Sequence, residues 1–244
     1  MIKGFILALA AVTLLSPDIK PEFDVSKAGL PVDAHVCVAI EGTTKSECNV
    51  AVYEKASPTD ADPEPKWTMM ISTKGYLGKN GLNNYRVEGD KTTPIGIFKM
   101  NTPFGQSSAQ PGFPVNYQQV SGDVFVWSDD YQKLVYDPSM KLKGERVGNA
   151  KYKGYYEYCI DLGYNPTAIP KKGSALFIHC GPENDHESSG CVQIKEELMA
   201  ELIKLYGKYG EGYSYSAIYP KGKADKIYGT FGIFKGLSPN GDFK

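Results

Sequence analysis

Two of the chain's three histidines and two of its five cysteines fall within GSALFIHCGPENDHESSGCVQI, Gly173 to Ile194. His179 ends a short apolar run, and eleven residues separate it from Cys191, which directly follows Gly190. A cysteine used as a nucleophile needs a base or cation beside it, because a free thiol of pKa about 8.5 is only a few per cent ionised at neutral pH. His179 is the candidate base. The intervening loop is long enough to bring strand end and loop end together, and Gly190 lets the backbone turn tightly beside the sulfur. Backbone N–H groups around Gly190 and Cys191 could then face a developing oxyanion. The carbonyl of Cys180 is the nearest acceptor to orient the imidazole.

Spacing alone leaves a second chemistry open. His179, Cys180, His186 and Cys191 could all ligate zinc, although the chain lacks the C-x-x-C pairs of a structural zinc site. His186 stands beside Glu183, Asp185 and Glu187, so it reads more simply as a solvated loop histidine. Those acids could attract an incoming ammonium group. Cys37, Cys48, Cys159 and Cys180 allow two disulfides in three connectivities, or four buried thiols. Cys37 and Cys48 flank a hairpin that a bridge could staple. No motif calls for a metal or a cofactor.

These residues need a scaffold. A chain of 244 residues can bury one sizeable core, so a single main domain is expected. Seventeen Tyr, ten Phe, 26 Gly and 16 Pro favour strands and turns over long helices, which predicts a mainly β protein. HVCVAI, CNVAVYEK, WTMMISTKGYLG, Ile95–Met100, VFVWSDD and YYEYCIDLGYN all read as strands. GSALFIH is short, apolar and bounded by glycine, as a central strand buried on both faces would be. After Cys191 the period changes: Leu198, Met199, Leu202, Ile203 and Tyr206 recur at helical spacing, and Gly207 and Gly210 supply the stop.

Net charge is -1, with 27 basic and 28 acidic residues and no run of like charge. Nucleic acid is therefore excluded as a partner, and a monomer is expected. Residues 1–20 read as a signal peptide, or as a membrane anchor if retained: Lys3 precedes an apolar run from Phe5 to Leu15 that is too short for a comfortable span. Residues 21–33 read as a linker, 34–220 as the catalytic body and 221–244 as a C-terminal extension.

Three separated blocks together resemble the L,D-transpeptidase (YkuD-type) catalytic domain. GSALFIHCG followed by SSGCVQI is similar to its active-site signature, in the branch with Ser/Thr-x-Gly-Cys in place of Ser-His-Gly-Cys. Gly89, Asp90, Thr93, Pro94, Gly96 and Phe98 match its Gly-Asp-x-x-Thr-Pro-x-Gly-x-Phe block. FVWSDDYQKLVYD and IDLGYNP resemble connecting segments. The likeness runs from about Val36 to Tyr219.

The resemblance implies a β-sandwich-like catalytic domain with one main helix after the nucleophile. It implies Cys191 as nucleophile, His179 as base, and Cys180 as the residue whose carbonyl orients His179. Ser188, Ser189 and Gly190 match the element leading to the nucleophile, with the oxyanion site on nearby backbone. The commoner pattern has His in place of Ser189 and Asn or Arg in place of Gln193. The implied reaction is acyl transfer from peptidoglycan stem peptides through a Cys191 thioester, with release of terminal D-Ala and cross-linking to an acceptor amine. An L,D-carboxypeptidase on the same scaffold, or a non-catalytic wall-binding or zinc-stabilised module, are the alternatives. The implied location is outside the cytoplasm, at the cell wall.

Three further residues have two readings each. Arg86 could pair with a substrate carboxylate, but a lone Arg in polar text reads more simply as solvated. Trp67 and Trp127 could serve as sugar platforms, but read more simply as core or rim packing. The Gly89–Phe98 block reads as turns that frame a cleft.

Overall fold

The computed structural model describes residues 14–17, 19–182 and 188–233. It is mainly β, with one long helix, Glu196–Tyr209. One mixed sheet dominates. Its spatial order begins with Gly232–Ile233, Gly96–Lys99, Ser214–Pro220, Val36–Gly42, Glu47–Lys55 and Trp67–Tyr76. It continues through Val192–Ile194, Phe177–Cys180, Cys159–Asp161, Asn101–Gly105 and Gln118–Gln119.

Only Met100 separates two strands that lie toward opposite ends of this order, Gly96–Lys99 and Asn101–Gly105. A chain that crosses from one end of a sheet to the other in a single residue forces the sheet to curl upon itself. Met100 itself is fully buried, and its N–H donates to the carbonyl of Ser214 at 2.9 Å.

Every residue of Val36–Gly42 is buried, so this strand is covered on both faces. Alternation then sorts the side chains. Val36, Val38 and Ile40 join a core that includes Leu198, Met199, Leu202, Ile203 and Tyr206 of the helix. Cys37 and Ala39 join a second core with Phe23, Val25, Ile97, Tyr215 and Tyr219. Phe104, Trp127, Tyr156, Cys159 and Phe177 build a third layer that also contains Cys191. Trp127 is core packing, 1% exposed, while Trp67 is half-buried with Lys55 over its ring.

All five cysteines are free thiols. The strand register shows why Cys37 and Cys48 do not meet: Cys37 opposes Tyr53, whereas Cys48 opposes Gly42. Five residues of offset put them on opposite faces and about 17 Å apart along the ladder, beyond any disulfide.

The two segments flanking the body pack onto it. In the stretch 21–33, Phe23, Val25 and Ala28 are buried. Beyond residue 220, Ala224 and Ile227 are buried, and the Gly229 N–H donates to the Ala28 carbonyl at 2.9 Å. Of the N-terminal apolar run, residues 1–13 lie outside the described residues, while Leu14–Leu15 pair in parallel with Ile71 and Ser72. Among the described residues no helix is long and apolar enough to cross a membrane.

The helix differs from its sequence reading in one respect. Gly210, at φ +84°, follows the last turn as expected. Gly207 does not stop the helix; it lies inside it. A Cβ there would stand 2.8 Å from the Pro114 nitrogen and 2.9 Å from the Gly112 carbonyl oxygen. The glycine lets the loop backbone seat directly on the helix.

A Gly207→Ala substitution is therefore expected to destabilise the protein by about 1–3 kcal/mol through overpacking, against a helix-propensity gain of about 1 kcal/mol. Urea denaturation measures the balance. A variant more stable than wild type would show that the loop gives way.

Candidate active site

The candidate residues sit on or directly beside two short parallel strands, Phe177–Cys180 and Val192–Ile194. Their register pairs Ile178 with Val192 and His179 with Gln193. Residues two apart on a strand share a face, so Cys191, Gln193 and His179 point the same way. All three line a cleft of about 900 Å³.

His179 is 4% exposed, and its Nδ1 stands 2.6 Å from the carbonyl oxygen of Cys180. A carbonyl only accepts, so Nδ1 carries the proton and Nε2 of the neutral ring is left as the basic nitrogen. The Tyr156 ring packs edge-on at 5.3 Å. Burial lowers the His179 pKa below its ordinary value, against the opposing pull of the Cys180 and Tyr155 carbonyls.

Cys191 is 6% exposed. Its Sγ–H donates to the Ala175 carbonyl at 3.3 Å, and Sγ accepts from the Phe177 N–H at 3.4 Å. No hydrogen bond joins it to His179 among the described residues. Burial, reinforced by the charge of Glu145, pushes the thiol up to about 12, while the Phe177 N–H and Arg86 pull the other way. The resting pair is thus a neutral thiol and a neutral imidazole, and not the preformed thiolate that the sequence suggests.

The Gly89–Phe98 block frames this pair. Asp90 accepts from the Val87 N–H at 2.8 Å, the Thr92 N–H at 2.9 Å and the Thr92 hydroxyl at 2.8 Å, which closes the loop 87–92. Thr93 Oγ1 accepts from the Gly78 N–H at 2.8 Å and donates to the Gly190 carbonyl at 2.9 Å, tying two loops to the residue before Cys191. Gly190 has φ +132°. A Cβ there would lie 2.2 Å from Arg86 Nη1 and 2.6 Å from the Thr92 carbonyl oxygen, so only glycine fits.

Ser188 donates its hydroxyl to the Cys191 carbonyl at 2.7 Å and accepts the Gly190 N–H at 3.2 Å. That N–H, expected to face an oxyanion, is thereby engaged within the loop. Ser189 lines the cleft and is exposed. Cys180 acts through its backbone; its Sγ accepts from the Tyr158 N–H at 3.3 Å. Among the described residues no three His, Cys, Asp or Glu side chains gather as a metal site. Glu183, Asp185, His186 and Glu187 lie outside those residues.

The cleft also holds Arg86, which the sequence suggests is solvated, and Glu145, which the sequence does not single out. Arg86 is not solvated: it is 5% exposed and lines the cleft, with its guanidinium 5.7 Å from the Tyr164 ring centroid. Glu145 enters from a small three-stranded sheet, Lys133–Tyr136, Phe125–Ser128 and Gly144–Glu145. Its Oε1 accepts from the Tyr156 hydroxyl, and burial raises its pKa. The neighbouring Asp137, pulled down to about 2 chiefly by the Ser139 hydroxyl, clamps this sheet through Arg146 at 3.0 Å and the Leu142 N–H at 2.9 Å.

The L,D-transpeptidase catalytic-domain family, YkuD, matches residues 61–208, a span that includes every cleft residue named above. The solved structure of Bd1075 from Bdellovibrio bacteriovorus covers 83% of this chain at 14% sequence identity, with a TM-score of 0.41. The chain spans 54% of the length of that protein. No curated protein matches the chain.

A neutral resting thiol has a kinetic signature. Alkylation of Cys191 by iodoacetamide, followed site by site in peptide mass spectra, is expected to keep rising above about pH 9 without a plateau near neutrality. A plateau between about pH 6 and 8 would reveal a preformed thiolate and contradict the buried-thiol geometry.

Proposed function

The chain belongs to the L,D-transpeptidase catalytic-domain family, and we propose that it transfers acyl groups of peptidoglycan stem peptides through a thioester on Cys191. The observation that carries this reading is the placement of His179 and Cys191 on one face of adjacent parallel strands, with Nδ1 held by the Cys180 carbonyl. Three motif blocks in family order supply the chemical context.

Each step follows from the residues present. Rotation about χ1 takes the Cys191 thiol off the Ala175 carbonyl and toward His179 Nε2. As the sulfur attacks the carbonyl that precedes the terminal D-Ala, its proton passes to Nε2. The imidazolium returns that proton to the departing amine, D-Ala leaves, and a thioester remains. Depressed basicity suits His179 to this task, because it stays neutral and able to accept at pH values where an exposed histidine is already protonated.

In the second half-reaction the side-chain amine of a neighbouring stem attacks the thioester and gives a cross-link. Glu145, which lines the cleft with Tyr152, Tyr156 and the carboxyl groups of Glu88, Asp123 and Asp129, supports an amine acceptor. Substrate of this kind places the protein outside the cytoplasm, in keeping with the apolar run Phe5–Leu15. Peptidoglycan is the only partner this reading requires, and the module acts as a single chain.

Intact mass spectrometry after incubation with a stem tetrapeptide or a carbapenem provides the test. An adduct is expected on wild type and on no Cys191→Ala sample. His179→Ala should slow adduct formation by about 10²–10⁴-fold. Muropeptide analysis then separates the two outcomes of the thioester: new dimers identify transfer, and shortened monomers alone identify the carboxypeptidase. Absence of any adduct on wild type would overturn the reading.

A further inference from the structure

The cleft contains a cation with no counter-ion among the described residues. Arg86 is 5% exposed and forms no ion pair among the described residues, whereas the other arginine, Arg146, is paired with Asp137. An isolated buried charge is costly unless something compensates it. One nitrogen, Nη1, donates to the Thr92 carbonyl at 2.5 Å, which fixes the side chain without neutralising it. Nε is buried and has no hydrogen-bond partner. The Ser174 hydroxyl, also on the cleft wall, is buried and unpartnered as well.

The backbone has been cleared around this guanidinium on two sides. A Cβ at Gly190 would lie 2.2 Å from Nη1, and a Cβ at Gly173, φ +101°, would lie 2.8 Å from Nη2 and 3.1 Å from Nε. Ser174 follows Gly173 directly. Two glycines, one just before Cys191 and one just before Ser174, thus make room for a positive charge, and two unused donors remain buried in residues that line the cleft.

Distance narrows the ligand. Gly190 precedes Cys191, so the guanidinium lies within about one residue length, 3.8 Å, of the nucleophile's backbone. A peptide cleaved one residue from its end carries its terminal carboxylate at that same remove from the attacked carbonyl. Arg presents a planar fork suited to a carboxylate, and Ser adds a neutral donor.

We infer that Arg86 and Ser174 form the anchor for the C-terminal carboxylate of the donor peptide, which makes the enzyme specific for stems that end one residue beyond the scissile bond. The inference rests on the acyl-transfer reading for the identity of the peptide. The anchor restricts attack to the last bond, because a longer stem would place its carboxylate one residue too far out.

Calorimetry on the Cys191→Ser protein tests binding without chemistry, using a stem tetrapeptide as its free acid and as its C-terminal amide. The acid is expected to bind at least about tenfold more tightly than the amide. Arg86→Gln should abolish the preference, Arg86→Lys should keep part of it, and Ser174→Ala should reduce it several-fold. The acid–amide comparison requires no change at Arg86, so it stands even where an Arg86 variant fails to fold. Equal binding of the two peptides, a preference that survives Arg86→Gln in folded protein, or no binding of either would overturn the anchor. The wild-type adduct measurement is separate: acid-selective binding without an adduct would remove the acyl-transfer reading and leave the carboxylate site in place.

Discussion

The chemistry of this molecule depends on one parallel pairing. Joining Phe177–Cys180 to Val192–Ile194 with His179 opposite Gln193 sends the imidazole and the thiol into the same cleft. A slip of one residue would turn one of them to the opposite face of the sheet. Much of the surrounding structure holds this register. Gln193 donates to the Pro182 carbonyl at 3.0 Å, and its carboxamide fills the space that a side chain at Gly181 would need. Gly78 and Ser188 form an isolated bridge, and Thr93 holds Gly190 by its carbonyl. The position of Cys191 is thus set by contacts that its neighbours make, with little left to its own side chain.

Burial is the second theme, and it acts in opposite directions on the two partners. Desolvation disfavours whichever form is charged, so it lifts the thiol and lowers the imidazole. Both changes keep the resting pair neutral. Such a pair spends no free energy on a charge separation that only the reaction needs, and a buried thiol is shielded from stray electrophiles and oxidants. Arg86 and Glu145 both line the cleft and act on the thiol in opposite senses, Arg86 lowering its pKa and Glu145 raising it.

Much of the plan is legible in the sequence. The helix is announced by five apolar residues at helical spacing, and the hairpin of residues 36–55 by two apolar runs, VCVAI and VAVY, on either side of a polar turn. The His179–Cys191 pairing is carried by a motif whose family match covers the cleft. What escapes local reading is decided by distant contacts. Arg86 lies in NNYRVEGD, polar text that suggests solvent, yet Thr92, Tyr164, Gly173 and Gly190 close over it from four separate stretches. Gly207 reads as a terminator because nothing nearby reveals the loop 112–114 that rests on it. Glu145 depends on a small sheet whose clamp, Asp137 to Arg146, is no stronger in sequence than any other Asp and Arg.

One feature of the large sheet bears on how the protein comes into being. Val36–Gly42 lies in parallel beside Ser214–Pro220, which in turn pairs with Gly96–Lys99, so early and late parts of the chain are neighbours at the heart of the molecule. A ribosome releases the late strand last. Until then the early strand has only its hairpin partner Glu47–Lys55, and its other edge lacks the late strand, so the nascent polypeptide cannot complete its sheet piece by piece. The central sheet of this topology is complete only once Ser214–Pro220 has been made.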